Sequence, residues 1–262
     1  MLTFSRLGNA GRLGNQLFQI AFITAFAERH RIEYKLPYWD YAPFFDFNFN
    51  FSDTIDNMKF DLIIKERPGL GYQEKHFVQY LPQMKASNVN IISGFFQSYK
   101  YFEKQHVLYV FKPKKKIKLN IKKCMAISIR RGDFVRSKLY NNIEAQTYRF
   151  LLKSFKGYKV FVFSDDYNYC KNEFIGNQYE FLEGLNAIEQ LLMMRLFDCF
   201  ILSNSTFSYW GPMLNPDPKV VLFPQNMFTD LNLNKVFIRD YWPNSPNYIG
   251  YNNPITKSIT TS

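Results

Sequence analysis

The sequence predicts an α/β protein that consists of two lobes with parallel sheets. In residues 119–240, short apolar stretches typical of buried strands alternate with stretches typical of helices. Near the N-terminus, a strand-like segment leads through a glycine-rich turn into a long helix-like segment. A lysine-rich stretch at residues 112–123 lies between these two regions and is typical of a solvated linker or of a patch that faces an anion.

These observations give three segments. We place an N-terminal lobe at residues 1–118, a C-terminal lobe at residues 119–240 and a tail at residues 241–262. The chain of 262 residues is long enough to bury a sizeable core in each lobe. The tail is rich in Pro, Asn, Thr and Ser, and its composition predicts either a segment that wraps over the surface or partial disorder.

The N-terminal lobe begins with a predicted strand at residues 2–5, the segment GRLGNQLFQ at residues 11–19 and a predicted helix at residues 16–30. A strand, a glycine turn and a helix N-terminus together leave backbone N–H groups free to bind an anion. Asn15 adds a donor and an acceptor for a sugar hydroxyl. The alternative is a turn that only lets the helix pack on its strand.

An aromatic-rich segment, residues 34–60, and a predicted strand at residues 91–95 complete the description of this lobe. Aromatic rings can stack on the faces of sugars, but they are more often part of ordinary packing, and we favour packing here.

The C-terminal lobe begins with a predicted buried strand at residues 124–129, which ends directly before Arg130, Arg131, Gly132 and Asp133. Arginine can bind a phosphate with two parallel hydrogen bonds, glycine allows a sharp turn, and aspartate can hold a guanidinium. The pattern therefore predicts a nucleotide or sugar-nucleotide site, although a surface turn with a local ion pair is an equally good interpretation of this motif alone.

Further strands are predicted at residues 159–164, 199–203 and 220–223, and helices at residues 145–154, 167–174, 187–197 and from 209 onward. Polar motifs follow three of the strands: RRGD, the SDD of residues 164–166 and the STF of residues 205–207. Because parallel sheets bind ligands beyond the carboxyl ends of their strands, we expect one edge to gather all three motifs.

Composition limits the function classes. The formal net charge of +11 is strongly basic, but no zinc finger, helix-turn-helix or other nucleic-acid motif accompanies it, so we expect no nucleic-acid partner. An anionic membrane or a lipid-linked substrate is the more attractive partner for the lysine-rich stretch. The three cysteines have no metal spacing and fit small hydrophobic residues in a reducing compartment.

Two further patterns bear on localisation. No apolar stretch is long enough to span a membrane and no signal peptide precedes the first strand, so we expect a cytoplasmic protein that can associate with a membrane surface. Asn204 lies in a glycosylation acceptor sequence, but its position between a buried strand and a helix argues against modification.

Three motifs, in this order, resemble the α-1,2-fucosyltransferases of glycosyltransferase family 11. They are GRLGNQLFQ at residues 11–19, SIRRGD at 128–133 and SNSTFSYWG at 203–211, with FSDD at 163–166 between the last two. Asn15 also matches the Asn of the GRFGNQ motif in the related protein O-fucosyltransferases. The sequence departs from the family's HxRRGD pattern at Ser128, which replaces histidine.

The resemblance implies a GT-B fold, with two Rossmann-like lobes and the active site in the cleft between them. It also implies that the N-terminal lobe is on the acceptor side and that the C-terminal lobe binds the GDP-sugar. It implies an inverting transfer of L-fucose from GDP-β-L-fucose to the 2-hydroxyl of a galactoside-terminated oligosaccharide, free or lipid-linked. Inversion needs no covalent nucleophile. The sequence lacks a DxD triplet, so we expect neither a metal nor another cofactor.

The resemblance also implies roles for single residues. Arg130 is the expected catalytic contact to the diphosphate, and Arg131 is expected to brace the loop through Asp133 or another carboxylate. Asn15 is expected to orient the acceptor hydroxyl or the fucose ring. Asp133 is also available as a general base, although an arginine can occupy it.

The donor-binding candidates are Gly14, Ser128, Arg131, Ser164, Asp165, Asp166, Glu189, Ser205, Thr206 and Phe207. The last three are expected to hold the phosphates. Asp165, Asp166 and Glu189 compete for the guanine edge and the ribose hydroxyls. For the two aspartates, capping of a helix is an equally good interpretation.

Three alternatives stay open. The donor can be another GDP-linked deoxyhexose such as colitose, the protein can be an inactive glycan- or nucleotide-binding homologue, or it can be a basic nucleic-acid-binding protein. Donor hydrolysis separates the first two, and salt-dependent duplex binding tests the third.

Overall fold

A computed structural model describes residues 1–67 and 71–254. The chain forms two compact units. The first comprises Met1–Lys116 and Arg239–Pro243, and the second comprises Ile117–Ile238 and the segment that begins at Asn244. The division after Lys116 lies close to the boundary expected from the sequence, whereas the chain after Ile238 contributes to both units.

Among its described residues, the first unit contains two small parallel sheets and four complete α-helices. The elements are β1 (Leu2–Thr3), α1 (Leu13–His30), β2 (Leu36–Pro37), β3 (Phe51–Ser52), β4 (Leu62–Lys65), α2 (Glu74–Val78), α3 (Leu81–Ala86), β5 (Val89–Ser93) and α4 (Lys104–Val110). One sheet has the strand order β1-β5-β4, and the other pairs β2 with β3.

Helix α1 is buried along nearly its whole length, which is the pattern of a helix inside a core. It begins at Leu13, so the expectation of a turn up to Asn15 was wrong. The helix can begin early because Gln16, in its first turn, closes the preceding loop with its own side chain. Gln16 Nε2 donates to the carbonyl oxygens of Gly8 at 3.1 Å and Gly11 at 2.9 Å.

The aromatic-rich segment contributes to packing, as favoured from the sequence. Trp39 and Phe45 are each 1% exposed, and their rings stack with centroids 5.9 Å apart. Phe45 also contacts Phe111 at the end of α4, with centroids 5.6 Å apart. These rings form the core beside β2 and β3.

The second unit is built on one parallel sheet of six strands. The elements are β6 (Cys124–Ile129), α5 (Ala145–Leu152), β7 (Lys159–Ser164), α6 (Tyr167–Glu173), β8 (Tyr179–Phe181), α7 (Ala187–Met194), β9 (Cys199–Ile201), α8 (Thr206–Met213), β10 (Val220–Pro224), α9 (Leu231–Tyr241), whose last turn lies in the first unit, and β11 (Tyr248–Tyr251). The strand order is β11-β10-β9-β6-β7-β8.

This order places the first strand of the unit in the middle of the sheet. Numbered within the unit, the sequence of strands is 6-5-4-1-2-3, which is the doubly wound Rossmann order. Successive strands are added on one side of β6 up to β8 and on its other side from β9 onward, and this reversal point between β6 and β9 is where such sheets bind ligands.

Strand β6 has two differently occupied faces. Met125, Ile127 and Ile129 face one hydrophobic core, which also contains Tyr148 and Phe174 from helices α5 and the end of α6. Because side chains alternate along a strand, Ser128 belongs to the opposite face. That face carries the polar contacts described below.

In the first unit, the sequence predicted none of β2, β3, β4, α2, α3 and α4, and in the second unit it did not predict β8, α9 or β11. The tail was expected to wrap over the surface or to be disordered, but Tyr248–Tyr251 forms β11 and pairs in parallel with β10. Backbone pairing with an existing strand explains this order in a segment of weak periodicity.

Candidate active site

A cavity of about 180 Å³ lies at the carboxyl end of the six-stranded sheet, where β6 and β9 meet. It is lined by Ser128, Ile129, Arg130, Phe163, Ser164, Asp165, Ala187, Gln190, Ser205 and Phe207. The three motifs that follow β6, β7 and β9 therefore converge, as predicted from the sequence. All lining residues belong to the second unit.

Arg130 is held between two carboxylates. Its Nη1 lies 2.6 Å from Oδ2 of Asp165, and its Nη2 donates a hydrogen bond to Oδ1 of Asp133. The guanidinium carbon lies 5.1 Å from the centroid of the Phe134 ring. Its Nε is buried and has no hydrogen-bond partner among the described residues. The structure thus presents a fixed guanidinium at the cavity.

Arg131 is braced by the structure around it, as expected. Its guanidinium lies 3.5 Å from the centroid of the Tyr169 ring, a cation–π contact. Its Nε lies 3.6 Å from Asp166 and its Nη1 3.9 Å from Glu144. The carboxylate partners are therefore Asp166 and Glu144, while the ion pair seen for Asp133 is with Arg130.

The two aspartates of the FSDD motif contact different partners. Asp165 binds Arg130 through Oδ2, and its Oδ1 accepts a hydrogen bond of 2.8 Å from the backbone N–H of Arg131. Asp166 caps α6, with Oδ1 accepting from Tyr169 N at 3.0 Å. Ser164 accepts from the backbone N–H of Asp166 at 3.0 Å. The capping interpretation is confirmed for Asp166, and contact of either aspartate with a nucleotide stays a prediction.

Gly132 is required by the position of Asp165. A Cβ atom on this glycine would overlap with Oδ2 of Asp165. The absence of a side chain lets the β6 loop approach the β7 loop closely enough for the ion pair between Arg130 and Asp165.

Ser128 belongs to a buried cluster of three hydroxyls. Its Oγ lies 2.6 Å from Oγ of Ser208 and 3.4 Å from Oγ of Ser203, and the latter two are 2.6 Å apart. The cluster joins the end of β6 to the first turn of α8. Ser128 therefore fixes the two elements that carry Arg130 and the STF motif, a role that sequence reasoning did not find.

Helix α8 begins at Thr206, three positions before the predicted start near Tyr209. Ser205 is its N-cap, and Ser205 Oγ accepts from the backbone N–H of Phe207 at 3.2 Å. The N-cap satisfies a donor of the first turn, which lets the helix begin at this point. Ser205 and Phe207 line the cavity, and Thr206 lies between them.

Glu189 has a structural partner in the helix that carries it. Its carboxylate accepts from the backbone N–H of Asn186 at 3.0 Å, while Asn186 Oδ1 accepts from Glu189 N at 3.0 Å. This reciprocal pair is a capping box at the start of α7. Binding of guanine or ribose by Glu189 stays a prediction.

Sequence reasoning missed two neighbours of the site. Gln190 lines the cavity from α7 and donates to the carbonyl oxygen of Leu185 at 2.9 Å. Tyr169 lies under Arg131. Tyr169 stands three residues after the N-cap Asp166, and this spacing is the only local signal that could have indicated it.

Gly14 and Asn15 belong to the first unit. Both lie in the first turn of α1, where Gly14 is buried and Asn15 half-buried. Oδ1 of Asn15 accepts a hydrogen bond of 2.8 Å from Nε2 of Gln97. Gln97 is a further residue that the sequence did not single out.

The cysteines pack as small hydrophobic residues, as expected. All three are free, and Cys170 and Cys199 are buried. Burial raises the pKa of Cys170 to about 11, so its thiol stays protonated near neutral pH. Asn204 is buried too, and its Nδ2 donates to the carbonyl oxygens of Asn141 at 2.7 Å and Met227 at 2.8 Å. These contacts leave Asn204 inaccessible to glycosylation.

Within residues 1–67 and 71–254, no three side chains of the metal-ligating types come close enough to hold an ion together. In the same part of the chain, no helix combines the length and apolar character needed to cross a membrane.

Two proteins of Escherichia coli are similar in sequence. An alpha-1,2-colitosyltransferase is 29% identical over an alignment of 271 positions, and the alignment covers 86% of this chain and 92% of that protein. The O-antigen biosynthesis glycosyltransferase WbnK is 28% identical over an alignment of 133 positions, which covers 45% of this chain and 43% of that protein.

Solved fucosyltransferases share the fold at low sequence identity. The fucosyltransferase NodZ from Bradyrhizobium has a TM-score of 0.55 and 11% identity, covering 82% of this chain and 93% of that one. A mutant of FUT1 from Arabidopsis thaliana, in complex with GDP, has a TM-score of 0.53 and 11% identity, covering 85% of this chain and 69% of that one. NodZ, an alpha-1,6-fucosyltransferase, has also been soaked with GDP-fucose. The two parallel-sheet units are thus of the GT-B type.

The sequence profile of Glycosyl transferase family 11 matches residues 8–243, which include all three motifs and the cavity residues. This match covers most of both units. The chain belongs to glycosyltransferase family 11.

Proposed function

We propose that this glycosyltransferase moves L-fucose from GDP-β-L-fucose to the 2-hydroxyl of a terminal galactoside, with inversion at the sugar carbon. The observation that carries the proposal is Arg130: a fixed guanidinium lies at the reversal point of a Rossmann-type sheet. A solved protein of the same fold was co-crystallised with GDP and soaked with GDP-fucose, which favours this donor.

The proposed chemistry is a single displacement. The acceptor oxygen forms a bond to the anomeric carbon while the bond from that carbon to the β-phosphate oxygen breaks, and the acceptor proton leaves to a base or to solvent. Negative charge grows on the departing diphosphate. A hydrogen-bond donor fixed at such a developing charge lowers the activation free energy by about 3–4 kcal/mol, because it needs no reorganisation during the reaction.

Arg130 and the start of α8 are placed to serve as these donors. Arg130 provides the guanidinium, and the N-terminus of α8 provides the positive end of the helix dipole. Asp165 and Asp133 hold Arg130 in position, so we assign Asp133 no role as a base. The predicted site in a cleft between the lobes stays a prediction.

We also propose that the reaction needs no divalent metal. In this mechanism, the arginine and the helix terminus supply the positive charge that a metal would supply to a diphosphate. The proposal rests on the chemistry of these groups and is tested by chelation, as described in the Discussion.

A second donor is favoured by one observation. The full-length similarity to an alpha-1,2-colitosyltransferase, 29% over 86% of this chain, points to GDP-colitose. Colitose is fucose without the 3-hydroxyl. A site that hydrogen-bonds this hydroxyl rejects the analogue that lacks it by about 10⁴-fold or more, whereas an apolar pocket discriminates far less.

Hydrolysis of GDP-sugars in the absence of acceptor tests both donors. We expect GDP release from GDP-L-fucose or GDP-colitose, with one clearly preferred, and little from GDP-mannose. Transfer to methyl β-D-galactopyranoside, with the new linkage assigned by NMR, tests the α-1,2 product. Binding of GDP without hydrolysis or transfer of any of these donors would indicate an inactive homologue.

The lysine-rich segment supports an additional proposal about the acceptor. Residues 112–123 contain seven lysines and no acidic residue, and these lysines are exposed. We propose that the segment contacts an anionic membrane that holds a lipid-linked acceptor. Co-sedimentation with phosphatidylglycerol vesicles but not with phosphatidylcholine vesicles would support this, whereas equal recovery with both would contradict it.

A further inference from the structure

We propose that Phe95, Gln97 and Asn15 form a binding site for the sugar ring of the acceptor in the first unit. The proposal deepens the proposed function, on which it rests, because it names the residues that would bind the galactoside. Phe95 and Gln97 lie on the loop of residues 94–97, which follows β5, and Asn15 lies in the first turn of α1.

The backbone of this loop adopts conformations that side chains rarely allow. Phe96 has φ = 50° and Gly94 has φ = 157°. A bulky residue in the left-handed region costs free energy, and such residues persist where the surrounding structure holds them in place, often at binding sites. A Cβ on Gly94 would overlap with the Phe96 ring and lie 2.9 Å from Cβ of Glu66.

Glu66 and Gln19 hold the loop in this conformation. Glu66 Oε2 accepts from the backbone N–H groups of Phe95 at 2.7 Å and Phe96 at 3.1 Å. Gln19 Nε2 donates to the carbonyl oxygen of Gly94 at 3.1 Å and to that of Ala10 at 2.9 Å. The loop after β5 and the loop before α1 are therefore tied together by one side chain.

The two phenylalanines of the loop differ in exposure. Phe96 is fully buried and stacks on Phe22, with ring centroids 4.1 Å apart. Phe95 is 46% exposed. A large apolar ring on a rigid, strained loop is a preorganised surface, and the carbon face of a pyranose is a chemically suitable partner for it.

The amide pair formed by Gln97 and Asn15 supplies polar groups, and Gln97 is two residues from Phe95 on the same loop. The bond between Gln97 and Asn15 uses Nε2 of the first and Oδ1 of the second. Their other amide atoms, Nδ2 of Asn15 and Oε1 of Gln97, are one donor and one acceptor. A donor and an acceptor side by side match the hydroxyls of a neutral sugar better than they match an anion.

The position in the sheet fits a ligand site. Strands β1 and β5 are parallel neighbours, with Thr3 opposite Asn90. The loops that follow them lie at the same edge, and this carboxyl edge is where parallel α/β sheets bind ligands. The Phe95 ring, the amides of Gln97 and Asn15 and the position at the sheet edge together favour a neutral hexopyranoside as the ligand.

The test uses methyl β-D-galactopyranoside as the probe and ligand-observed NMR as the first readout. We expect saturation transfer from the wild-type chain, with the strongest transfer to the protons of one ring face. Phe95→Ala and Gln97→Ala are expected to weaken binding by about tenfold, and Phe95→Trp to retain it, because the ring face is kept. The matched control is Phe150→Ala. It removes a ring on α5 of the second unit that is 68% exposed.

Kinetics give an independent readout. The same two alanine variants are expected to raise the KM for the galactoside about tenfold while GDP affinity and donor hydrolysis without acceptor stay at wild-type values. Thermal unfolding of each variant checks the fold.

Several results would overturn the proposal. One is the absence of saturation transfer to the galactoside in a wild-type preparation that binds GDP. Another is unchanged galactoside binding in Phe95→Ala and Gln97→Ala. A parallel loss of donor hydrolysis would place the loop in donor binding or folding instead. Failure of the proposed function would give a different result, because the wild-type chain would then hydrolyse none of the GDP-sugars.

Discussion

Asp165 fixes Arg130 at the carboxyl end of the second unit's sheet, with its Oδ2 2.6 Å from the Nη1 of the arginine. The other carboxylate oxygen accepts from the backbone N–H of Arg131 at 2.8 Å. One side chain from the end of β7 thus orients both the guanidinium and the loop that carries it. Gly132 makes this possible, because any side chain there would displace the carboxylate.

Arg130 is expected to be essential for turnover. Arg130→Ala should leave a folded protein with turnover lowered by about 100-fold or more, since a donor to the developing charge is lost. Arg130→Lys should restore little, because an ammonium cannot replace the planar fork. Steady-state transfer with a saturating GDP-sugar measures both effects.

The matched control for Arg130 is Arg149→Ala. Arg149 lies in the same unit and also forms an ion pair, with Glu173, but on the exposed surface of α5. Its removal should change turnover less than twofold. Turnover close to wild type in Arg130→Lys would contradict the phosphate role of Arg130.

Asp165→Asn separates two roles of this residue. If Asp165 positions Arg130, removal of its negative charge should lower turnover about tenfold by loosening the guanidinium, while GDP binds as tightly as before or more tightly. If it binds guanine or ribose directly, GDP affinity should fall. Isothermal titration with GDP distinguishes the two, and a tenfold weaker affinity would contradict the positioning role.

Ser128→Ala should affect stability more than chemistry. The variant loses the hydrogen bond of 2.6 Å to Ser208, so we expect a loss of about 0.5–1.5 kcal/mol in the free energy of unfolding and a small change in turnover. Urea denaturation measures the first effect, with the exposed Ser154→Ala as the control. A 100-fold loss of turnover at unchanged stability would instead indicate direct contact with the donor.

Chelation should leave the reaction unchanged. Activity in excess EDTA is expected to match activity with Mg²⁺ or Mn²⁺, apart from modest ionic effects. If chelation abolishes transfer and one divalent ion restores it, the metal-free mechanism is wrong, and Asp165 and Asp166 would be the first ligands to examine.

His106 should make the stability of the first unit depend on pH. Burial and the charge of Arg29 lower the pKa of His106 to about 4, below its ordinary value of 6.5, although Glu28 lies 3.3 Å from its Nδ1. Between these values the unfolded chain binds the proton and the folded chain does not. Stability therefore falls as pH falls from 6.5 to 4, by at most about 3 kcal/mol from this residue.

Urea denaturation at pH 4.5 and pH 7 measures this effect. His106→Gln should show a smaller loss of stability on acidification than the wild type. Burial raises the pKa of Glu28, which acts in the opposite direction, so the difference between variant and wild type is the decisive quantity. An unchanged pH dependence in His106→Gln would contradict the prediction.

The sequence alone determined the central strands of the second unit and the motifs that follow them. Cys124–Ile129 and Lys159–Ser164 match their predicted bounds, because a strand buried on both faces appears as a continuous apolar run. The convergence of RRGD, FSDD and STF followed from the same reasoning, since parallel strands place their carboxyl ends at one edge. Family membership followed from the motifs.

Short and polar elements could not be predicted from the sequence. Strand β8 has three residues and β11 has four, and neither contains a run long enough to predict a strand. Each forms because a neighbouring strand offers free backbone donors and acceptors. Helices α1 and α8 begin earlier than predicted because Gln16 and Ser205 satisfy backbone groups near their N-termini.

Only the tertiary structure decided the partners of the site residues. Arg130 was recognised from its position after a strand, but its pairing with Asp165 was not. Likewise, nothing local relates Ser128 to Ser208, 80 positions later, or Asn15 to Gln97, 82 positions later. Periodicity and motifs record what one segment buries or binds, whereas these contacts arise from the order in which strands are placed in a sheet. That order is set by the packing of the whole unit.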